Sequence, residues 1–302
     1  MEEMTTGLCP KCGHTLQIPA ELERFSCMYC GERLTKRQLL MQPEKASCSE
    51  EDCAVSFDHA VSRLGWCVQN FRGYQKKILR DAFFEAFETY ETGCAPVIQE
   101  LNSGVRPERQ TELLDRAAEA MLDELAAGWM GKNDMEDEKV ILAIFFVPMV
   151  RKLQLPVSEE FVSLLQKKWV ERYPKSPFYL GDYESISGGF RKKFLGLCFI
   201  TTAVCQELGK PDDCAELTVF RAFRDGYLAA QPDGEALIRE YYNIAPGIVT
   251  CINTCSDRHA SYERIREQYL TPCYEDLLAG RNADCKTRYV QMVRDLEREY
   301  LN

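Results

Sequence analysis

Histidine, long hydrophobic runs and the motifs of common enzymes are scarce or missing in this chain. It contains three histidines in 302 residues, and no Gly-rich phosphate loop, HExxH pair or nucleophile elbow is present. The most apolar run, residues 140–147, is too short to span a bilayer and is predicted to form a buried helix. The chain starts with two glutamates where a signal peptide would be basic. These absences favour a cytoplasmic protein that is not an enzyme.

An excess of positive charge is missing as well. The net charge is -10 at pH 7, which argues against non-specific binding of the whole molecule to nucleic acid or to an anionic membrane. Hydrophobic residues make up 45% of the chain and charged residues 28%, as is typical of soluble globular proteins. The length allows one large domain or two ordinary ones.

Cysteine, in contrast, is abundant. There are fifteen cysteines, an odd number, so they cannot all pair within one chain. Four of them have the spacing of metal ligands. The other eleven are scattered through helical patterns, and in a reducing cytosol such residues are expected to act as small apolar core residues. These are Cys48, Cys53, Cys67, Cys94, Cys198, Cys205, Cys214, Cys251, Cys255, Cys273 and Cys285.

The N-terminal cysteines form two Cys-x-x-Cys-Gly repeats, with Cys9 and Cys12 in the first and Cys27 and Cys30 in the second. Each repeat places two thiolates on a tight turn, and four soft ligands around one tetrahedral ion favour zinc. An iron site with four thiolate ligands is an alternative, as are four unrelated thiols. His14 is interpreted as a surface residue, because four cysteines already complete the ligand set.

Short strands are predicted at 15–18 and 24–26, with residues 19–23 as the turn between them. With the two cysteine repeats, this pattern resembles the zinc-ribbon family over residues 7–35. Residues 1–37 carry five basic and five acidic side chains, so the ribbon has no positive surface for nucleic acid. A structural ribbon that supports protein contacts is the favoured interpretation.

After the ribbon, the sequence predicts a polar linker over 38–55 and helices to the end of the chain. Cys48 and Cys53 frame an acidic segment of the linker, and a second metal ion there is an alternative to a plain connection. Apolar residues at three- and four-residue spacing then predict helical domains over 56–180 and 181–302, which can also pack as one domain. The fold class is therefore mainly α, with helical bundles and a small N-terminal β zinc ribbon.

Several local features predict where these helices stop. Pro148 is expected to kink its helix, and Pro246 to kink or end another. Asp213 has the spacing of a capping box with Glu216, so we expect a helix to start there. Residues 174–187, rich in proline and aromatic side chains, are predicted to form a long loop.

A basic, aromatic region surrounds this loop. Residues 167–194 contain seven basic and three acidic side chains. Arg191, Lys192 and Lys193 at its end are candidates for binding a phosphate or an acidic partner. The alternative is that the basic side chains only neutralise acidic neighbours.

Three ordered segments in the second half of the chain form a recognisable pattern. They read CFITTA at 198–203, RAFRDGYL at 221–228 and YYNIAP at 241–246. Together they resemble the CFI-box family of bacterial proteins over about residues 198–250. The resemblance implies a small helical module of unassigned biochemical function, attached to varied partners that include zinc ribbons. This chain departs from the commoner form at 204–206 and in the long helices that follow.

Cys198, at the start of this pattern, is a candidate reactive thiol. A nucleophilic cysteine needs thiolate character and a base, and only His59 or His259 could supply the base. A buried structural cysteine is the favoured interpretation. A second metal site among Cys198, Cys205, Cys214, Cys251 and Cys255 is a further alternative.

These observations lead to one expected function and two alternatives. We expect a protein with a structural Zn²⁺ ion that binds another protein as an interaction or scaffold protein, with neither nucleic acid nor membrane as its partner. The first alternative is an enzyme that depends on Cys198. The second is a protein that binds RNA or phosphate through residues 167–194.

Overall fold

The computed structural model describes residues 4–9, 15–29, 31–40, 49–131, 133–191, 198–255 and 257–302. These residues form a mainly helical protein with two small β-sheets near its N-terminus. We call residues 4–40 the β region and residues 49–302 the helical body. The predicted mainly helical class is confirmed.

The β region contains two antiparallel strand pairs and a short helix. Strand β1 (Met4–Leu8) pairs with β2 (Thr15–Pro19), and β3 (Arg24–Ser26) pairs with β4 (Arg33–Thr35). Helix α1 (Lys36–Leu40) follows and packs on β1 and β4. The predicted strands at 15–18 and 24–26 are present, but each pairs with a strand that the sequence patterns missed rather than with the other.

The first part of the helical body runs from helix α2 to helix α9. A 3₁₀ turn precedes α4 at Tyr74–Lys77 and another precedes α5 at Pro107–Arg109. The helices are α2 (Glu50–Leu64), α3 (Trp66–Gln69), α4 (Phe83–Gly104), α5 (Gln110–Ala127), α6 (Asp134–Ile141), α7 (Val147–Lys152), α8 (Ser158–Arg172) and α9 (Tyr183–Arg191). Helix α2 packs along α4, and α5 packs along α8.

The second part contains the segments that carry the recognised pattern. Its helices are α10 (Phe199–Glu207), α11 (Ala215–Ala222), α12 (Gly234–Thr254), α13 (Arg258–Ile265), α14 (Thr271–Leu278) and α15 (Asn282–Tyr300). Helix α12 packs against α10 and α15. None of the helices in the described ranges is both long and apolar enough to cross a membrane.

One hydrophobic core extends through the helical body. Its buried side chains form a continuous cluster from Phe57 to Leu301. The predicted buried run at 140–147 lies inside it: Phe145 is fully buried, with its ring centroid 5.5 Å from those of Tyr74 and Tyr90. Burial of such aromatic side chains is a major source of folding free energy.

A close backbone contact joins the two parts of the helical body. A Cβ atom added to Gly247 of α12 would lie 1.9 Å from the carbonyl oxygen of Ile78, so only glycine fits there. Next to this contact, the Arg80 amide donates to the Asn243 carbonyl oxygen (3.0 Å), and the Asp81 amide donates to Asn243 Oδ1 (3.1 Å). The segment before α4 is thereby fixed to the middle of α12.

Two prolines lie just after widened helical segments, and one of them is Pro148, where the sequence predicts a kink. Pro148 and Pro272 each follow a π-helical segment, Leu142–Phe146 and Arg266–Leu270 respectively. In the first, the Val147 amide donates to the carbonyl oxygen of Leu142, five residues earlier. A proline has no N–H and its ring crowds the carbonyl four residues before it, and a π-bulge accommodates both effects. A third π-helical segment spans Phe223–Leu228.

Other predicted boundaries also need correction. The loop predicted over 174–187 ends earlier, because α9 begins at Tyr183. Helix α12 continues through Pro246. The capping box at Asp213 is not formed: α11 begins at Ala215, and Glu216 pairs with Lys210 instead.

The predicted linker over 38–55 is shorter than expected. Helix α2 begins at Glu50 because Ser49 Oγ accepts a hydrogen bond from the Asp52 amide (3.1 Å), which caps the helix. Cys53 is buried on this helix, and Cys48 lies outside the described residues. Most other cysteines of the helical body are buried too, while Cys214 and Cys255 are half-buried.

Candidate functional site

The predicted metal ligands fall in the β region. Cys9 follows β1 and Cys27 follows β3, and they are only 1% and 2% exposed. Both belong to one small buried cluster, so the first cysteine of each repeat faces a common interior; the cluster comprises Cys9, Leu16, Ile18, Cys27, Leu34 and Leu39. Cys12, Cys30 and His14 lie outside the described residues.

The second cysteine repeat has the backbone of a tight turn. The Gly31 amide donates to the Cys27 carbonyl oxygen (2.8 Å), and the Cys27 amide donates to the Glu32 carbonyl oxygen (2.8 Å). Gly31 has φ of +72°, a left-handed conformation that glycine adopts readily. The repeat therefore curls back on itself in the way that a turn carrying two ligands on one ion requires.

The size of this region also fits a metal ion. Among the described residues, four buried aliphatic side chains, two buried cysteines and two two-stranded sheets provide little apolar burial to stabilise a separate unit in water. Units of about 40 residues or fewer usually need a metal, disulfides or a partner. Four thiolates would suit Zn²⁺, although the described residues alone contain no group of three or more metal-ligating side chains.

The three segments of the CFI-box-like pattern meet in the helical body. Arg224, from the π-helical segment Phe223–Leu228, lies with Nη1 at 3.6 Å from Cys198 Sγ. The Ile200 amide donates to the hydroxyl oxygen of Tyr241 (3.0 Å). Phe199 packs edge-on against Tyr242, with ring centroids 6.2 Å apart. Residues up to 44 positions apart thus form one cluster, which we call the CFI cluster.

A chain of hydroxyl groups extends the CFI cluster. Thr201 Oγ1 lies 3.2 Å from the hydroxyl oxygen of Tyr289, which donates to Tyr241 at 3.4 Å. Beside it is a cavity of about 50 Å³, lined mainly by apolar side chains and also by the ion pair of Glu240 with Arg294 (2.5 Å). That space holds a few water molecules but no large substrate.

Cys198 lacks the features of a nucleophile. Burial raises the pKa of its thiol, and the positive charges of Arg224 and Arg221 oppose this only in part. His59 Nδ1 lies 2.7 Å from Glu100 Oε1, and His259 Nδ1 lies 3.4 Å from Glu207 Oε1. No histidine is among the described residues that line the cavity beside Cys198. The catalytic pair considered from the sequence is therefore not formed.

The Arg224 guanidinium has a different role. It makes a two-pronged ion pair with Asp225, with Nε–Oδ1 of 2.7 Å and Nη2–Oδ2 of 2.8 Å. This hydrogen bonding raises the pKa of Arg224, while it lowers the pKa of the Asp225 carboxyl group. The Arg224 side chain is 10% exposed, and its contact with Cys198 joins the π-helical segment to the start of α10, so it is not a free cation in solvent.

The basic region at 167–194 is largely neutralised by ion pairs. Lys168 Nζ lies 2.9 Å from Asp115 Oδ1 and 2.8 Å from Glu119 Oε2, because α8 packs on the acidic face of α5. Arg172 pairs in the same way with Asp123 (2.8 Å) and Glu119.

The end of this region follows the same pattern. Arg191 is exposed and pairs with Glu184 at 3.0 Å. Lys192 and Lys193 lie outside the described residues. For the described side chains, the interpretation that they neutralise acidic neighbours is the better one.

The second metal site considered from the sequence is not assembled. Cys198, Cys205, Cys214, Cys251 and Cys255 are all described, but they do not join into a group of three or more ligands. Cys205 contacts Cys214, and Cys255 Sγ lies 3.3 Å from the Cys251 carbonyl oxygen. Burial and the neighbouring thiol raise the pKa of Cys205 to about 12, as expected of a packed thiol.

The sequence patterns missed a polar cleft that forms where the two parts of the helical body meet. It contains Lys139, whose Nζ donates to Ser176 Oγ at 2.8 Å, and Gln75 on the 3₁₀ turn before α4. Lys139 lies in a predicted apolar helix, and Ser176 in the predicted loop. Only the unusual length of that loop marked the site in the sequence.

Comparison with known protein families, curated proteins and solved structures finds no match to this chain.

Proposed function

We propose that this protein binds a structural Zn²⁺ ion through Cys9, Cys12, Cys27 and Cys30 and acts as a protein-interaction or scaffold protein. The observation that carries the zinc proposal is the burial of Cys9 and Cys27 in one six-residue cluster. A cluster of this size needs an additional source of stability, and a structural metal ion supplies folding free energy directly.

Exposed apolar side chains at the second cysteine repeat support a role in binding a protein. Met28 is 76% exposed and Tyr29 is 57% exposed, and both lie between the proposed ligands Cys27 and Cys30. Methionine and tyrosine are enriched at protein interfaces. A metal ion would hold this turn rigid, which lowers the entropy cost of binding.

We further propose that residues 198–250 form a module of the CFI-box type. The convergence of its three segments on Cys198, Arg224 and Tyr241 supports this proposal. Because the cluster is buried and hydrogen-bonded, its residues serve to build the module. Neither the thiol nor the guanidinium is arranged to attack a substrate.

The proposal is tested by metal analysis and site-specific photo-crosslinking. We expect one zinc ion per chain in the purified native protein. A photoreactive amino acid at position 28 should give a discrete crosslinked protein in cells, whereas the same group at Val55, which is 69% exposed on α2, should not. The crosslink should disappear in Cys27→Ser.

Two results would contradict the proposal. If protein purified without a chelator contains no bound metal, the proposed zinc site does not exist. If crosslinking is equal from positions 28 and 55, or if it persists in Cys27→Ser, the β region is not the interaction surface.

A further inference from the structure

A polar cleft between the two parts of the helical body has a volume of about 760 Å³, within the range of small-molecule sites. Its walls come from the 3₁₀ turn at Tyr74–Lys77, from α6, from the loop before α9, from the start of α13, and from the ends of α12 and α15. The side chains that matter for a ligand are Gln75, Asp137, Lys139, Lys175, Ser176 and Asp257. It is separate from both the β region and the CFI cluster.

Gln75 is an unusual residue at this position. Gln75 is only 6% exposed, and its Oε1 atom accepts no hydrogen bond from any described residue. The 3₁₀ turn that carries it packs against α6, which places the amide in the wall of the cleft. A buried carbonyl-type oxygen needs a donor, so this atom requires a group that the described chain does not supply.

Most charges around the cleft cancel in pairs. Lys139 is held by Glu136 and Ser176, so its positive charge is compensated. Arg264 Nη2 pairs with Glu299 Oε1 at 2.5 Å.

The charges that remain are mainly negative. Within the described part of the chain, Asp137 and Asp257 form no ion pair, and neither does the exposed Lys175. The unpaired groups are two carboxylates, one amide oxygen and one ammonium, a balance that favours a cationic ligand.

The electrostatics at Asp137 also favour a cationic ligand. Its pKa is raised because the carboxylate is partly buried and because Asp134 and Glu136 repel it. Arg72 and Lys76 attract it, but they do not cancel the rise. A carboxylate in this situation is stabilised by a cation that enters the cleft.

We propose that this cleft binds a small aliphatic amine, a diamine or polyamine, with one ammonium group donating hydrogen bonds to Gln75 Oε1 and to the Asp137 carboxylate. An ammonium group supplies both the positive charge and the N–H donors that these two acceptors lack. Asp257 is the acceptor for a second ammonium group, and the side chains of Val140 and Ala260 line the cleft for the methylene chain.

Calorimetric titration of the intact, metal-loaded protein tests the proposal. The ligands are 1,4-diaminobutane and spermidine, and the controls are tetramethylammonium and Mg²⁺, which carry positive charge without N–H donors. We expect saturable binding of the amines only. Asp137→Asn should weaken it about tenfold or more, as loss of a charge-assisted hydrogen bond does. Asp213→Asn, an exposed acidic residue away from the cleft, should bind like the wild type.

A second variant distinguishes a binding residue from a structural one. Gln75→Leu removes the buried oxygen without creating a large cavity, so we expect weaker amine binding and no fall in melting temperature. A fall in melting temperature with unchanged amine binding would show that Gln75 has only a structural role. No amine binding, equal binding of tetramethylammonium, or equal loss in Asp137→Asn and Asp213→Asn would overturn the proposal.

Discussion

The β region and the helical body differ in how many apolar side chains they bury. The described part of the β region buries four aliphatic side chains and two cysteines, whereas one continuous core runs through the helical body from Phe57 to Leu301. The fraction of surface that a chain buries rises with its size, so a large helical body can be stabilised by burial alone, whereas a unit of about 40 residues or fewer usually needs a metal, disulfides or a partner. The same residue type therefore has two roles here: ligand candidate in the first region and core residue in the second.

The largest expected effect is the loss of the metal from the β region. We expect Cys27→Ser to lose bound zinc and to become sensitive to trypsin at Arg24 and Arg33, because the metal provides most of the folding free energy of such a unit. Cys214→Ser, a half-buried thiol of the helical body, should retain the metal and resist cleavage. If the Cys27→Ser protein resists trypsin, the stability of the β region does not depend on a bound metal ion.

A core truncation in the helical body should cost less but should affect the whole body. Phe145→Ala removes a fully buried ring and is expected to lower the free energy of unfolding by about 3–5 kcal/mol. Phe84→Ala, at a ring that is 36% exposed, should cost about 1 kcal/mol or less. Urea unfolding followed by far-UV circular dichroism measures both. Similar losses for the two variants would contradict a core centred on residue 145.

Thiol labelling compares the two regions within one molecule. After zinc is removed with a chelator, we expect Cys9 and Cys27 to react rapidly with a thiol reagent at neutral pH. Cys198 should stay protected until the helical body unfolds, because it is 4% exposed and burial raises its pKa. Mass spectrometry of the labelled peptides gives the order. Fast, selective labelling of Cys198 in the native protein would revive the cysteine-enzyme alternative.

The smallest expected effect is a pH dependence confined to the helical body. Asp276 pairs with Arg281 (2.7 Å) and Arg288 (3.3 Å), and the hydrogen bonds from Arg281 lower the pKa of its carboxyl group. The ion pairs of Asp276 therefore stabilise the folded protein fully above the unfolded-state pKa of about 3.9. This stabilisation is lost as the pH falls through the lower pKa that Asp276 has in the folded state.

We expect Asp276→Asn to be less stable than the wild type at pH 7 and to approach it near pH 3. Urea unfolding at both pH values measures this difference. Asp213→Asn serves as the exposed control, with little change at either pH. A stability difference that is the same at both pH values would show that the ion pairs of Asp276 contribute nothing.

Local patterns predicted much of the architecture. The helical periodicity, the buried run at 140–147 and the strands at 15–18 and 24–26 are all present. The spacing of Cys9, Cys12, Cys27 and Cys30 still stands as a prediction of zinc. These features depend on neighbours within a few residues, which a sequence displays directly.

Features that depend on distant residues could not be predicted. Lys168 is neutralised by α5, about fifty residues earlier, so the net charge of residues 167–194 was a poor guide to their surface. The widening of helices before Pro148 and Pro272 depends on packing that tolerates a π-bulge. The polar cleft gathers Gln75, Lys139 and Ser176 from separate parts of the chain.

Amide hydrogen exchange of the intact protein, with and without a zinc chelator, tests the different origins of stability most directly. We expect the chelator to abolish protection in β1 to β4, including the amides of Cys27 and Gly31, while α4 and α12 keep their protection. Retained protection of the strands without metal would contradict the proposed role of zinc. Parallel loss of protection in α4 and α12 would show that the helical body also depends on the metal.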